Sequence, residues 1–220
     1  MKLDLHVHSF YSADSINSPK KIIEKAKELG IGVGITDHNS CKAWNELKKL
    51  GKKSTVLVVL GQEIMVSDSA GLFVGELSGL FLKKEIKSRN YLEAIGEIHK
   101  QGGIVVVPHP FDFLRANFKL LEKELKRIDA IESFNARCYL NSFNKKAERF
   151  AKRHALPEIA GSDAHFPEEI GRGITEVQAQ TLEEAKEQIM KGNAKITGKK
   201  SSLLVHLQTQ FVKIGLIKKP

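Results

Sequence analysis

The sequence predicts an α/β fold built from repeated βα units around a parallel sheet or a small barrel. Short apolar runs rich in β-branched residues recur along the 220-residue chain, and longer segments with helical spacing of apolar side chains separate most of them. The chain is slightly smaller than an average eight-unit barrel, and no glycine-rich dinucleotide fingerprint follows the first strand. These observations favour a small or incomplete barrel over an open, doubly wound sheet.

The predicted strands are short runs of apolar and β-branched residues. They cover residues 2–5, 32–36, 56–60, 77–81, 104–107, 130–133, 158–160, 174–176 and 195–197.

The first helix is predicted over residues 20–29, because Ser18 is a favourable N-cap, Pro19 suits the first turn and Gly30 ends the pattern. Similar patterns predict helices over 91–100, 143–154 and 182–191. We expect a single domain, residues 1–198, on which an amphipathic tail of residues 199–220 docks. The apolar side chains of that tail include Leu203, Leu204, Leu207, Phe211 and Leu216.

The composition is that of a globular protein, with 41% hydrophobic and 28% charged residues. No apolar run reaches the length of about 18 residues that a membrane-spanning helix needs, and no signal region precedes the first predicted strand. We therefore expect a cytoplasmic protein with no membrane partner. Cys41 and Cys138 lie far apart without C-x-x-C spacing, so we expect two buried or partly buried thiols and neither a disulfide framework nor a thiolate zinc site.

The formal net charge of +9 makes a nucleic-acid partner possible. The lysines are spread over many helical segments, however, and form no patch interleaved with aromatic residues. A generally lysine-rich surface is the favoured interpretation.

Side chains that can bind metal recur where predicted strands end, which is where βα barrels collect their active-site groups. The first strand runs into His6-Val7-His8, and residues two apart in an extended chain point to the same side. Further candidates follow the second, third, fifth and seventh strands: Asp37 and His38, Glu63, His109, and Asp163 with His165. Each of these alone is weak, because single histidines and loop carboxylates are usually structural, but their joint occurrence predicts a metal centre.

Imidazoles and carboxylates without thiolates suit zinc, manganese or iron and leave room for water. We therefore predict a catalytic centre with two or three divalent ions. Such ions can generate hydroxide near neutral pH and hold phosphoryl oxygens, which favours phosphate ester hydrolysis.

In their order, these motifs resemble the polymerase and histidinol phosphatase (PHP) family across residues 4 to 176. The matching segments are His6-Val7-His8-Ser9, Thr36-Asp37-His38, Glu63, His109-Pro110 and Gly161-Ser162-Asp163-Ala164-His165. The resemblance implies a distorted (β/α)7 barrel with a trinuclear metal site at the carboxyl ends of its strands, and a metal-dependent phosphoesterase activity.

The resemblance also implies which residues hold each ion. His6, His8, Glu63 and Asp163 would hold the first ion; Glu63 would bridge to a second ion with His109; and Asp14, His38 and His165 would hold the third. Asp14 lies where other members of the family have histidine, which makes that site more oxygen-rich and favours manganese or iron over zinc. Glu76 best matches the remaining ligand of the second site, where the family commonly has histidine. Alternatively, Glu76 is a surface residue at the start of a strand.

Arg137 lies in a segment, Glu132-Ser133-Phe134-Asn135-Ala136-Arg137, that resembles a family element whose arginine meets the substrate phosphate. We predict that Arg137 binds the substrate and stabilises charge on the phosphoryl oxygens. The alternative is a salt bridge to Glu132 or Glu148.

Arg172, on a glycine-flanked loop, is a second candidate for substrate binding. Asp37 either orients a metal-binding imidazole or caps the following helix. His99, His154 and His206 are predicted to be structural or surface residues.

The leading hypothesis is a phosphoesterase in which metal-bound hydroxide attacks a phosphate monoester or diester of a small molecule or nucleotide. A nuclease acting on polynucleotide ends is the alternative within that class. A non-catalytic metal-binding domain with a regulatory or interaction role is the alternative from another class. Nothing in the sequence selects the substrate or the oligomeric state.

Overall fold

The computed structural model describes all residues, 1–220, and its centre is a seven-stranded barrel. The barrel strands follow one another around the barrel in chain order: β1 (Lys2–Val7), β2 (Gly32–Ile35), β3 (Val58–Ser67), β4 (Phe73–Leu80), β5 (Ile104–Val107), β6 (Ala130–Asn135) and β7 (Glu158–Gly161). Backbone bonds between the ends of β1 and β7 close the barrel, because the Asp163 amide donates to the His6 carbonyl at 2.7 Å and the His8 amide donates to the Ala164 carbonyl at 3.0 Å. The predicted barrel is confirmed.

The barrel strands are not all parallel. β4 is antiparallel to both β3 and β5, because residues 68–72 make a loop too short for the crossover that a parallel connection requires. Asp68 shapes this loop by accepting hydrogen bonds from the Ala70 and Leu72 amides, both at 2.9 Å. Two further strands, β8 (Gly173–Glu176) and β9 (Lys195–Gly198), continue the sheet from β1 in antiparallel pairs.

The predicted helices form within two residues of their expected bounds. The six helices are α1 (Pro19–Leu29), α2 (Trp44–Ser54), α3 (Tyr91–Lys100), α4 (Asn141–His154), α5 (Leu182–Met190) and α6 (Leu204–Lys213). At the start of α1 the Ser18 hydroxyl accepts from the Lys21 amide, and Gly30 ends the helix with a left-handed φ of 64°. None of the helices is long and apolar enough to cross a membrane.

Strand β1 shows how the core positions the site. Residues Leu3 to Val7 are all buried, so burial alone does not distinguish the two faces of the strand. Leu3 and Leu5 pack in an apolar cluster, and alternation turns His6 to the other face together with Asp4. A buried strand thus carries its polar residues inward, where they need partners.

The tail docks through a different face of α6 from the one expected. Val205, Thr209 and Val212 are buried, and the two valines form a small cluster with Phe166. The leucines predicted to dock are instead exposed: Leu203, Leu204, Leu207 and Leu216. Residues 205, 209 and 212 share one face of a helix, whereas the leucines lie outside that stripe.

Candidate metal centre

The barrel brings together the nine side chains predicted as metal ligands, although they come from separate parts of the chain. Each has a nitrogen or oxygen within 3.6 Å of a nitrogen or oxygen of another member of the set. All except His38 are buried. The members are His6, His8, Asp14, His38, Glu63, Glu76, His109, Asp163 and His165.

The first part of this cluster lies between the ends of β1 and β7. The Nε2 atoms of His6 and His8 are 3.1 Å apart, and Asp163 Oδ1 lies 3.3 Å from the Nε2 of His8. Donor atoms about 3 Å apart have the spacing of neighbouring ligands around an ion whose bonds are about 2 Å long. These three residues can hold one ion.

Glu63 lies at the centre of the cluster, within β3 and not after a strand as predicted. Its Oε1 is 3.3 Å from His109 Nε2 and its Oε2 is 3.1 Å from His38 Nδ1. Glu76, on the paired strand β4, reaches both of those histidines, with carboxylate oxygens 3.6 Å from His38 Nδ1 and from His109 Nε2. Its exposed fraction is only 6%, so the alternative of a surface glutamate is wrong.

The third part of the cluster joins the loop after β1 to the ends of β2 and β7. Asp14 Oδ1 lies 3.3 Å from His165 Nε2 and 3.9 Å from His38 Nε2. The His8 ring lies next to both imidazoles, with ring centroids 4.6 Å from His38 and 4.4 Å from His165.

Several buried nitrogen and oxygen atoms of this cluster have no hydrogen-bond partner. They are Asp14 Oδ1, His38 Nδ1, Glu63 Oε2, His109 Nδ1 and Asp163 Oδ1. A buried polar atom without a partner costs about 1–3 kcal/mol, more for a charged group, and bound cations would satisfy the oxygens that face one another here. The residues present therefore fit a multinuclear centre of hard or borderline divalent ions.

The electrostatics of the cluster favour cation binding. Burial, with the neighbouring His165 and His38 imidazoles, lowers the pKa of His8 to about 3, which keeps the ring in its neutral, metal-binding form. Burial and the nearby Glu63 carboxylate raise the pKa of Glu76 to about 7. Two carboxylates this close repel each other, and a divalent ion between them would remove that repulsion.

Relatives of the chain have been found by sequence. It is 36% identical to the uncharacterized protein MJ0417 of Methanocaldococcus jannaschii over 191 residues, which cover 83% of this chain and 73% of that protein. It is 38% identical to the uncharacterized protein MJ1587 of the same organism over 150 residues, 62% of this chain and 82% of that protein. A family model described as PHP-associated matches residues 141–192.

The chain belongs to the PHP family. Among solved structures, its fold resembles a two-domain protein from Bacteroides vulgatus, described as containing a predicted PHP-like metal-dependent phosphoesterase, with a TM-score of 0.75 and 19% identity. The similarity covers 90% of this chain, but this chain spans only 65% of the length of that protein. At this identity the likeness concerns the fold, and it agrees with the nearly closed barrel of the PHP chain.

Partners that the sequence analysis missed hold the candidate ligands of this PHP protein in place. Glu132 Oε1 lies 2.9 Å from His6 Nδ1, and Glu132 Oε2 accepts from the His109 amide at 2.8 Å. Asn135 donates to Glu132 and to Asp163 Oδ2. A carboxylate behind a ligating imidazole fixes which ring nitrogen faces the ion.

Asp37 supports an imidazole, as one of its two predicted roles requires, but it does so through a serine. It accepts from the Ser9 amide at 2.7 Å and from the Ser12 hydroxyl at 2.7 Å, and that hydroxyl is 3.1 Å from His8 Nδ1. Asp37 therefore supports the His8 imidazole through Ser12, and the N-cap residue of α2 is Ala43.

Two of the ligand candidates have unusual backbone conformations. His109 and Asp163 have φ values of 31° and 57°, in the left-handed region that non-glycine residues seldom occupy. Such residues cluster at functional sites, where the surrounding structure holds them in place. Hydrogen bonds at both ends fix Asp163, because its amide donates to the His6 carbonyl and its carboxylate accepts from Asn135.

The cluster opens into a pocket of about 220 Å³ that cationic side chains also line. Arg137 lines this pocket but is only 3% exposed, and its Nη2 donates to the Val205 carbonyl at 3.1 Å and to the Thr209 hydroxyl. Its Nε lies 3.5 Å from Glu169, so its ion pair is not with Glu132 or Glu148, as the alternative interpretation had it.

Arg115 is a second arginine of the pocket, and it was not predicted. Its Nη1 lies 2.5 Å from Asp163 Oδ2. Burial lowers the pKa of Arg115, but nearby carboxylates, chiefly that of Asp163, raise it by more, so the pKa is raised overall. Arg172, which was predicted to bind substrate, does not line the pocket: its guanidinium donates to the Glu168 and Lys200 carbonyls, both at 3.2 Å.

The remaining histidines differ in their positions. His99 is 2.8 Å from Asp129, and His154 packs against the Phe150 ring. His206 lines the pocket and stacks on Tyr139 with ring centroids 3.9 Å apart. His206, which was predicted to be a structural or surface residue, thus lies at the pocket because α6 carries it there.

Proposed function

We propose that this PHP protein is a metal-dependent phosphoesterase. The observation that carries the proposal is one pocket lined by two sets of side chains. The metal-ligand wall consists of carboxylates and imidazoles with buried atoms that lack hydrogen-bond partners, and the cationic wall consists of Arg115, Arg137 and Lys213. The first wall suits divalent cations and the second suits an anion. A phosphate group bound between ions and guanidinium groups satisfies both.

The ligand groups are those that the family resemblance implies, and the contacts described above support them. His6, His8 and Asp163 with Glu63 would hold one ion, and Asp14, His38 and His165 another. Glu63, Glu76 and His109 would hold the remaining ion. The oxygen ligands from Asp14 and Glu76 favour manganese or iron over zinc. Divalent ions in these positions would supply a water-derived nucleophile near neutral pH and offset charge on the phosphoryl oxygens.

Arg115 is the residue that we assign to the phosphate. Its side chain is 16% exposed, compared with 3% for Arg137, so more of the Arg115 side chain is accessible to a ligand. Its planar donors can bind two phosphoryl oxygens and stabilise the charge that develops on them. Arg137 is buried, and its Nη2 donates to the Val205 carbonyl and the Thr209 hydroxyl of α6.

A phosphorylated small molecule or nucleotide is the proposed substrate. A pocket of about 220 Å³ is below the range of about 300–1,000 Å³ that drug-sized ligands occupy, which favours a compact phosphate ester. The net charge of +9 supports a second candidate, a nuclease acting on polynucleotide ends. A nuclease should lose oligonucleotide affinity steeply as salt is added, whereas a phosphatase of small esters should respond weakly.

The central experiment replaces Asp163 with asparagine. Asparagine tolerates the left-handed backbone at this position and keeps the volume of the side chain, so the change removes chiefly the charge. Manganese content by mass spectrometry should fall markedly, and hydrolysis of p-nitrophenyl phosphate should decrease by a factor on the order of 10³.

Asp68→Asn is the matched control, because Asp68 lies in the loop between β3 and β4 and contacts only its own backbone neighbours. That variant should keep the metal content and turnover of the parent. Asp163→Asn protein that hydrolyses the ester at the parent rate would refute the phosphoesterase proposal. A parent protein that binds manganese but hydrolyses no phosphate ester would support the non-catalytic alternative instead.

A further inference from the structure

Helix α6 reaches the candidate centre at two of its residues. Thr209 accepts a hydrogen bond from Arg137, and Lys213 places its ammonium 3.2 Å from Asp14 Oδ2. Residues four apart lie on the same side of a helix, so both contacts follow from the way that Val205 and Val212 dock on Phe166. The C-terminal helix is therefore connected to a predicted metal ligand.

The two oxygens of Asp14 have different surroundings. Oδ2 faces the Lys213 ammonium, whereas Oδ1 faces His165 Nε2 at 3.3 Å and His38 Nε2 at 3.9 Å. Oδ1 is buried and has no hydrogen-bond partner. The lysine thus contacts one oxygen of the Asp14 carboxylate, and the other oxygen faces two candidate metal-binding imidazoles. Metal ligands are commonly oriented in this way by a residue that does not itself bind the metal.

We propose that Lys213 is a positioning residue for Asp14, which directs Oδ1 toward the ion held with His38 and His165. This inference rests on the metal site of the proposed function, and it adds the C-terminal helix to the residues that control that site. Docking of α6 and ion binding at Asp14 then favour each other, because a coupling between two binding events acts equally in both directions.

Two opposite effects of Lys213 have to be separated. Its ion pair with Asp14 orients that carboxylate and strengthens ion binding, whereas its positive charge repels a divalent ion and weakens binding. Lys213→Met removes both the donor and the charge, Lys213→Gln keeps a donor without the charge, and Lys213→Arg keeps both. If positioning dominates, the methionine variant binds the ion more weakly; if repulsion dominates, the methionine and glutamine variants both bind it more tightly.

The experiment titrates manganese into the metal-stripped full chain and counts the bound ions. Asp14→Ala should abolish one site and thereby identify it. Lys213→Met should weaken that site by about 10–100-fold, Lys213→Arg should restore it, and Lys213→Gln should match or exceed the parent. Lys218→Met is the matched control, because Lys218 is an exposed lysine of the same tail that makes no ion pair, and it should bind manganese like the parent.

Hydrogen exchange gives a second readout that does not depend on activity. Manganese should slow amide exchange across residues 204–213 in the parent and not in Lys213→Met. The inference is overturned if Lys213→Met binds manganese as tightly as the parent, or if Asp14→Ala leaves the number of ions unchanged. A parent that binds no manganese at all would overturn the proposed metal centre itself, which distinguishes the two failures.

Discussion

The two walls of the pocket are built in different ways. The metal-ligand wall is carried by barrel strands and by the turns directly after them, and buried partners such as Glu132 and Ser12 fix its imidazoles. The cationic wall is carried mainly by the segment between β5 and β6 and by α6, which supply Arg115 and Lys213, whereas Arg137 lies in the turn after β6. Strands hold side chains more rigidly than loops do. The comparison indicates that the barrel fixes the chemistry, whereas the connecting segments set what the pocket accepts.

The largest effect that separates the walls is expected for Arg115→Met. This change removes the guanidinium that we assign to the phosphate but no metal ligand. The kcat/KM for p-nitrophenyl phosphate should fall by about 10²–10³-fold, the usual cost of losing one preorganised donor to a charged transition state. Manganese affinity should not fall, because Asn135 still donates to Asp163 Oδ2 after the guanidinium 2.5 Å from that oxygen is removed.

Arg115→Lys is the companion variant, and it should recover part of the activity because it keeps the charge but loses the planar fork. If Arg115→Met loses activity only in proportion to the manganese that it loses, Arg115 supports the metal ligands and does not bind the phosphate.

Glu132→Gln tests the rigidity of the ligand wall with a smaller expected effect. Glu132 Oε2 accepts from the His109 amide and Asn135, so the glutamine oxygen must take that side and its NH₂ group must face His6 Nδ1. His6 Nδ1 must then accept a hydrogen bond from this NH₂ group, so the ring proton moves to His6 Nε2, where it blocks metal binding.

Manganese affinity of the Glu132→Gln protein, measured by competition with a chelator, should weaken by about 10–100-fold. Glu148→Gln is the control, because Glu148 lies on α4 and pairs only with Lys152. Equal affinities in the two variants would show that the His6 ring needs no partner behind it.

The same division explains which residues the sequence predicts. His6 and His8 are predictable because they share one face of a strand, and the motif order of the PHP family adds Asp14 and Glu76, whose roles no local pattern indicates. The antiparallel strand β4 is what brings Glu76 beside Glu63, through the pair Met65 and Glu76. That pairing depends on a short loop whose effect on strand direction was not recognised in the sequence.

Asn135 shows a different limit. Strict alternation along β6 would put residue 134 on the face of Glu132, but a β-bulge between those two positions turns Asn135 inward, and its amide reaches both Glu132 and Asp163. The sequence gives even less indication of the position of Arg115. This residue lies between β5 and β6 in a segment without an α-helix or strand, so no periodicity predicts which way its side chain points. The position of such residues depends on tertiary structure: of the two arginines predicted from the sequence, Arg137 lines the pocket and Arg172 does not, whereas Arg115 lines it without having been predicted.

Arg172→Ala is expected to have the smallest effect, and it tests the boundary of the cationic wall. The guanidinium of Arg172 is bound to the carbonyls of Glu168 and Lys200 and lies outside the pocket lining. The kcat/KM for a phosphate ester should therefore change by less than about twofold, while the melting temperature decreases by a few degrees because two hydrogen bonds worth about 1 kcal/mol each are lost. A tenfold rise in KM with an unchanged melting temperature would instead show that Arg172 binds the substrate. The cationic wall would then extend to the loop before β8.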